Sequence, residues 1–282
     1  MTLFPKNLFF LVALAYFSCV AAAENYEDNP KRSPQAATEA QARIEKIKAE
    51  IASLKNHPWA GEYYQGDGLG VNVTLYIAPD SGFVFEWHGC MGLYDRNYGS
   101  VTVENGTVKL NPVYPNKRDG FQGIDTLLTP VAWGKRSYLI AQDEFVRFCN
   151  NVNSGWEPRK EMHGFCLLRR GDEKIEVAGR PAVPEKYRAY ILDKPIEARV
   201  IWVGKIEYVE TKYGDPNRVS FTINAGSNQG VFLGMEMRFI DPDVYLGTIK
   251  ITKVETSQAE ATLSYRYGKP PQIMWRVSTR RQ

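Results

Sequence analysis

Residues 100–110 read SVTVENGTVKL and carry the strongest local fold signal in the chain. Apolar and polar side chains alternate in 100–104 and again in 107–110, which is the period of a half-buried β-strand. Asn105 and Gly106 between the two runs favour the left-handed backbone that a two-residue hairpin turn requires. The segment therefore predicts a β-hairpin within a β-rich domain.

The same pattern of short strands extends over residues 57–170. Residues 71–77 alternate, and 83–87 follow after a turn at 78–82. Further strands are predicted at 137–140, 145–149 and 165–169. Roughly eight short strands separated by turns are typical of a barrel or a sandwich, and we predict a β-barrel here.

A second, smaller β-barrel is predicted for residues 195–282, after a linker at 171–194. The linker contains a short helix that begins at Pro184, because proline suits the first helical turn. The six predicted strands of the second barrel are 199–209, 219–225, 235–240, 246–254, 259–265 and 273–277. The predicted fold class is therefore mainly β, with an N-terminal helix followed by two β-barrels.

The N-terminal helix is predicted at residues 37–56, after a polar and flexible lead-in at 24–36. Its apolar residues recur at alternating three- and four-residue spacing, which forms a heptad seam. They are Ala37, Ala40, Ile44, Ile47, Ile51 and Leu54. The seam either packs on its own domain or forms a short helical dimer, so Ile44, Ile47, Ile51 and Leu54 are candidate interaction residues.

Residues 1–23 have the pattern of a secretory signal peptide. Lys6 precedes an apolar stretch at 8–16, and alanines at 21–23 offer a cleavage site. The chain is therefore predicted to be exported to the periplasm or secreted, with no integral membrane segment after leader removal. The alternative is a lipoprotein anchored through Cys19.

Composition excludes several classes of protein. With 44% hydrophobic, 12% aromatic and 24% charged residues, the chain is neither disordered, collagenous nor a coiled coil. The formal net charge of +3 is too small to indicate a nucleic-acid partner.

Cysteines and histidines give little support for catalysis. After leader removal Cys90, Cys149 and Cys166 remain, which predicts one disulfide: Cys149 with Cys166 across paired strands, or Cys90 with either. His88 and Cys90 are the only candidates for a Cys-dependent enzyme, and a structural thiol is the preferred interpretation. The histidines lack metal-ligand spacing, so no metal, cofactor or catalytic residue is predicted.

Aromatic residues crowd the first predicted barrel, and most should belong to its core. Those near its loops are candidates to line a pocket for a small hydrophobic ligand. These candidates are Tyr64, Trp87, Tyr94, Tyr98 and Trp133.

Two resemblances bear on the first barrel. Residues 59–63 (WAGEY), followed by an apolar strand, an Asp-Ser-Gly turn and the strand 83–87, resemble the opening of lipocalin-type (calycin) barrels. This resemblance implies a lipocalin-like barrel with an aromatic residue at its floor. Residues 66–99 also resemble a family of uncharacterised bacterial exported proteins, which implies export and no particular activity.

The second barrel resembles another family. Residues 224–235 (NAGSNQGVFLGM) are similar to a loop of the periplasmic barrel in the rod-shape protein MreC and other envelope scaffolds. That resemblance implies assembly with itself or with a protein partner, and it makes Gly230 and Gly234 candidate interaction residues. The predicted function is an exported, non-enzymatic envelope binding or assembly module. The alternatives are a lipocalin-like carrier and, third, the enzyme at His88 and Cys90.

Overall fold

A computed structural model describes residues 31, 33–66, 70, 72–118, 121–157, 166–209, 217–240, 247–266 and 269–280. The predicted signal peptide and Cys19 lie outside the described residues, as does most of the predicted lead-in. No helix in these ranges is both long enough and apolar enough to cross a membrane.

Within the described residues, three α-helices and two 3-10 helices accompany the strands. The α-helices are α1 (Pro34–Ser53), α2 (Phe145–Asn153) and α3 (Glu185–Arg188), and the 3-10 helices cover Gln142–Glu144 and Ser227–Gln229. The strands up to the first linker are β1 (Gly61–Gly66), β2 (Asn72–Ala78), β3 (Gly82–Gly89), β4 (Gly92–Glu104), β5 (Thr107–Pro112), β6 (Lys117–Arg118), β7 (Phe121–Gln122), β8 (Leu127–Trp133), β9 (Arg136–Ala141) and β10 (Leu167–Arg169). The remaining strands are β11 (Glu197–Tyr208), β12 (Asn217–Ile223), β13 (Glu236–Phe239), β14 (Ile249–Val254), β15 (Ala259–Tyr265) and β16 (Arg276–Ser278).

The strands close into two barrels, which confirms the predicted fold class. The first barrel has the order β1-β10-β9-β8-β5-β4-β3-β2, and the second has the order β11-β12-β15-β14-β13-β16. Strands β6 and β7 pair separately. The chain divides into two compact units between Leu128 and Thr129, which is a point inside β8.

The hairpin predicted around Asn105 and Gly106 is confirmed. Val103 pairs with Val108 and Glu104 with Thr107, so only two residues form the turn. Asn105 has φ 49° and Gly106 has φ 76°. Left-handed backbone at both turn positions gives the twist that matches the flanking strands.

Helix α1 packs its apolar side on strands of the first barrel. Ala40, Ile44 and Ile47 are buried in one cluster with Ala78, Val84 and Tyr98, which lie on β2, β3 and β4. The helix begins at Pro34, earlier than predicted, because the Ser33 hydroxyl accepts a hydrogen bond from the Ala36 amide at 3.1 Å. Of the two uses considered for the seam, packing on its own domain is the one observed.

The prediction of a strand at 145–149 is wrong, because this segment begins helix α2. Phe145, Phe148 and Cys149 are buried in one cluster, and Val152 packs against it. Their three- and four-residue spacing is the period of one helix face. The apolar run was too short to distinguish a strand from a helix by length alone.

Candidate interaction surface

The glycine-containing loop at 226–235 contacts its own chain in the structure. Gly234 has φ +82°, and a Cβ at this position would lie 3.2 Å from Val146 Cγ1 of α2. Gly230 has φ +89°, and a Cβ there would lie 3.2 Å from Leu192 Cδ2. Side chains larger than hydrogen are therefore disfavoured at both positions, by backbone and by space. The two predicted interaction glycines serve packing within the chain.

Two asparagines of α2 bind backbone groups of two other segments. The Asn150 side chain donates to the Gly234 carbonyl at 2.9 Å and accepts from the Glu236 amide at 3.0 Å. Asn153 donates to the Tyr190 carbonyl at 2.9 Å, and its Oδ1 accepts from the Leu192 amide at 2.9 Å. Each amide thus bonds the carbonyl of one residue and the N–H two residues later, as a neighbouring β-strand would.

Aromatic packing reinforces the contact at the same loop. The Phe232 ring stacks on Tyr190 with centroids 4.2 Å apart and an interplanar angle of 2°. Tyr187 stacks in turn on Phe145 of α2 at 4.5 Å and 5°. The α2 asparagines were missed in the sequence because asparagine close to glycine usually indicates a turn.

Strand β11 has one edge that is mostly unpaired. One edge pairs with β12 from Val200, opposite Ile223, to Tyr208, opposite Asn217. On the other edge, β16 pairs only with residues 197–199, and Val200 bonds the backbone of Met274 and Trp275. Beyond Val200, no strand in the described part of the chain pairs with that edge.

Large apolar side chains are exposed along this strand and beside it. Trp202 is 55% exposed and Tyr208 80% exposed, which is unusual for residues of their size. We name the set the β11 surface, and it consists of Ile201, Trp202, Ile206, Tyr208, Ile273 and Met274. Met274 adjoins the strand because its amide donates to the Val200 carbonyl at 2.8 Å.

Register shifts in β11 explain why these residues face solvent. The pairing with β12 is irregular between Val200 and Trp202, and again between Val203 and Ile206. Each β-bulge changes the alternation, so apolar residues appear outside the barrel. The Trp202 ring lies over Gly204, where an added Cβ would come within 2.9 Å of its Cη2 atom. A sequence signal was present, since four consecutive apolar residues at 200–203 cannot all face inward in one strand.

The predicted ligand residues do not form one pocket lining. Trp87 and Tyr94 meet edge to face with ring centroids 5.6 Å apart. Tyr64 pairs with Thr74, and Trp87 with Val73, so the pleat places Tyr64 and Trp87 on opposite sheet faces. Tyr98 is buried and donates to Glu39 of α1 at 2.8 Å. Trp133 lies in the cluster of α2, and its indole donates to the Gly179 carbonyl at 2.9 Å.

All three cysteines described are free thiols, and Cys90 alone is exposed. Its Sγ lies 3.2 Å from the Tyr94 hydroxyl, and no hydrogen bond among the described residues joins it to His88. Cys149 lies on α2, so the prediction of a disulfide across two paired strands is wrong in its geometry. Cys149 and Cys166 nevertheless share one buried cluster. Burial raises the pKa of Cys149 to about 12 and raises that of Cys166 well above its ordinary value.

The remaining described features add no chemical site. The described ranges contain no group of three or more His, Cys, Asp or Glu side chains placed to hold a metal ion. A cleft of about 600 Å³ beside α2 is lined by charges of both signs, which are those of Asp143, Glu144, Glu236, Arg147 and Lys250. Comparison of the chain with family models, curated proteins and solved structures finds no match.

Proposed function

We propose that this protein is an exported, non-enzymatic binding or assembly module of the cell envelope that acts through protein contacts. The observation that carries the proposal is the β11 surface, where large apolar side chains stay exposed beside an unpaired strand edge. Tryptophan, tyrosine and methionine are enriched in protein interfaces, and a few residues such as tryptophan and tyrosine carry most of the binding free energy. Their grouping on and beside one strand supports a docking surface rather than scattered surface apolar residues.

The β11 surface is a different part of the chain from the interaction residues predicted from the sequence. Ile44 and Ile47 of α1 are buried against the first barrel, while Ile51 and Leu54 are half-buried. Gly230 and Gly234 contact Leu192 and Val146. Because these positions are used inside the chain, the β11 surface is the better candidate for a partner.

Site-specific photocrosslinking in the cells that make the protein tests the proposal. A photoreactive phenylalanine analogue at Trp202 or Tyr208 should give a discrete protein adduct. Ser220 and Ser264, exposed on the neighbouring strands β12 and β15, are the matched control positions. Equal labelling at all four positions, or no adduct at Trp202 and Tyr208, would reject the β11 surface as a docking site.

Intact mass of the mature protein tests export separately. Cleavage after Ala23 is expected, and a chain that begins at a lipid-modified Cys19 would instead support membrane anchoring. We also propose that Cys149 and Cys166 form a disulfide after export, since both lie in one cluster. The two thiols would pass two electrons to an oxidising thiol–disulfide exchange partner and release two protons, so the mass would fall by two hydrogens.

A further inference from the structure

We propose that the β11 surface binds a second copy of this chain, by antiparallel pairing of the two β11 edges about a twofold axis at Ile206. This inference rests on the proposed function and names its partner. In this dimer, the sheet of the second barrel continues from one molecule into the other.

The edge of β11 offers the main-chain groups that such pairing needs. On the side away from β12, the described ladder ends at Val200, while the strand continues to Tyr208. An exposed edge of this length presents N–H and C=O groups to any second strand of matching direction. Natural edges are usually protected by charge or by β-bulges; both bulges of β11 lie before Ile206, and Lys205 and Glu207 are the charged residues among 201–208.

The sequence of the edge is self-complementary in one register. With Ile206 opposite its own copy, Lys205 lies opposite Glu207 of the second copy, and the symmetry repeats this pair. Tyr208 then lies opposite the bulge at Gly204, next to the Trp202 ring that covers this glycine. Opposite charges directly across an antiparallel ladder are stabilising, and like charges are destabilising.

The twofold register favours a second copy over an extended segment of another protein. A foreign strand would gain the same backbone hydrogen bonds, yet it gives no reason for opposite charges to flank Ile206 symmetrically. In a homodimer each chain supplies both members of the charge pairs, so the edge is complementary to itself.

Charge exchange on the mature, full-length protein tests the register. Native mass spectrometry and sedimentation over a range of protein concentrations should show a monomer–dimer equilibrium. Lys205→Glu and Glu207→Lys should each weaken the dimer by about tenfold, because two attractive pairs become repulsive. The double variant K205E/E207K should restore affinity to within a few-fold of the original, since the charges are only exchanged. Lys109→Glu, an exposed site on β5, is the matched charge control and should leave the dimer unchanged.

Several outcomes would overturn the inference, and they separate it from the proposed function. A monomer at every concentration, or single variants that dimerise as well as the original, would exclude this dimer. A double variant no better than the single ones would exclude the register centred on Ile206. Glu207 pairs with Arg218 of β12, so circular dichroism should confirm that each variant is folded. If Trp202 crosslinks to a different protein while the chain is monomeric, the proposed function stands and only the homodimer fails.

Discussion

At the scale of single residues, the ion pair of Lys31 and Asp95 is a costly feature of the first unit. The Lys31 ammonium lies 3.1 Å from Asp95 Oδ1, and both side chains are almost fully buried. Removal of two charges from water costs free energy that their attraction offsets only while both are present. The segment before α1 is therefore held by a contact whose loss leaves a buried charge.

Substitution of Lys31 should show this cost. Lys31→Met leaves Asp95 buried without its cation, and we expect the free energy of unfolding to fall by about 3 kcal/mol. The double variant with Asp95→Asn should recover part of that loss, since no uncompensated charge remains. Urea denaturation of the mature protein measures both changes. Equal stability of Lys31→Met and the original protein would show that the pair contributes nothing.

At the scale of elements, the side-chain amides of helix α2 bind the backbone of two other segments. Asn150 bonds the backbone of Gly234 and Glu236, and Asn153 bonds that of Tyr190 and Leu192. Because Asn150 is buried, its loss would leave a backbone N–H and a carbonyl without their partners. The helix thus depends on two specific side chains as well as on apolar packing.

Asparagine substitutions in α2 should separate these contacts. Asn150→Ala should lower the free energy of unfolding by about 1–3 kcal/mol and speed hydrogen exchange at the Glu236 amide. Asn153→Ala should speed exchange at Leu192 instead. Asn151→Ala, one position away on the same helix, is the control and should change neither amide. Unchanged exchange at Glu236 in Asn150→Ala would contradict the contact.

How far the sequence predicts the fold also depends on the element. The 100–110 hairpin was predictable because its turn residues and its alternation both indicate one local structure. For α2 the local pattern was ambiguous, and the contacts that favour a helix come from residues distant in sequence, such as Gly234. The β11 surface depends on two β-bulges, which arise from pairing with β12 and leave only an apolar run as a sequence signal.

At the scale of the whole molecule, buried cysteine thiols and a buried tyrosine hydroxyl make the free energy of unfolding fall at alkaline pH. Burial raises the pKa of Cys149 from 9.0 to about 12, and it also raises the pKa of Cys166 and of Tyr138. Unfolding returns these groups to water, where they ionise at lower pH than in the folded protein. The stabilisation is therefore fully present below about pH 9 and is lost as pH rises toward the folded pKa values.

Reduced protein should accordingly lose stability above about pH 9. Each group that ionises only on unfolding contributes a slope of about 1.4 kcal/mol per pH unit. Urea midpoints measured from about pH 7 to about pH 11 test this expectation. Cys149→Ala should flatten the alkaline slope even if it lowers stability at neutral pH. A midpoint that stays constant to about pH 11 would contradict the burial of these thiols.

The closure of the first barrel has a consequence for how the chain acquires its structure. Strand β1 adjoins β2 on one side and β10 on the other, and β10 follows α2 much later in the chain. A ribosome delivers β1 to β5 before β8 to β10, so the early sheet has two open edges, and the edge at β1 stays open until β10 is made. Non-local closure of this kind slows folding and extends the time in which a nascent chain can pair wrongly. Pairing of the short strand β10 (Leu167–Arg169) is thus the step that covers the exposed edge of β1.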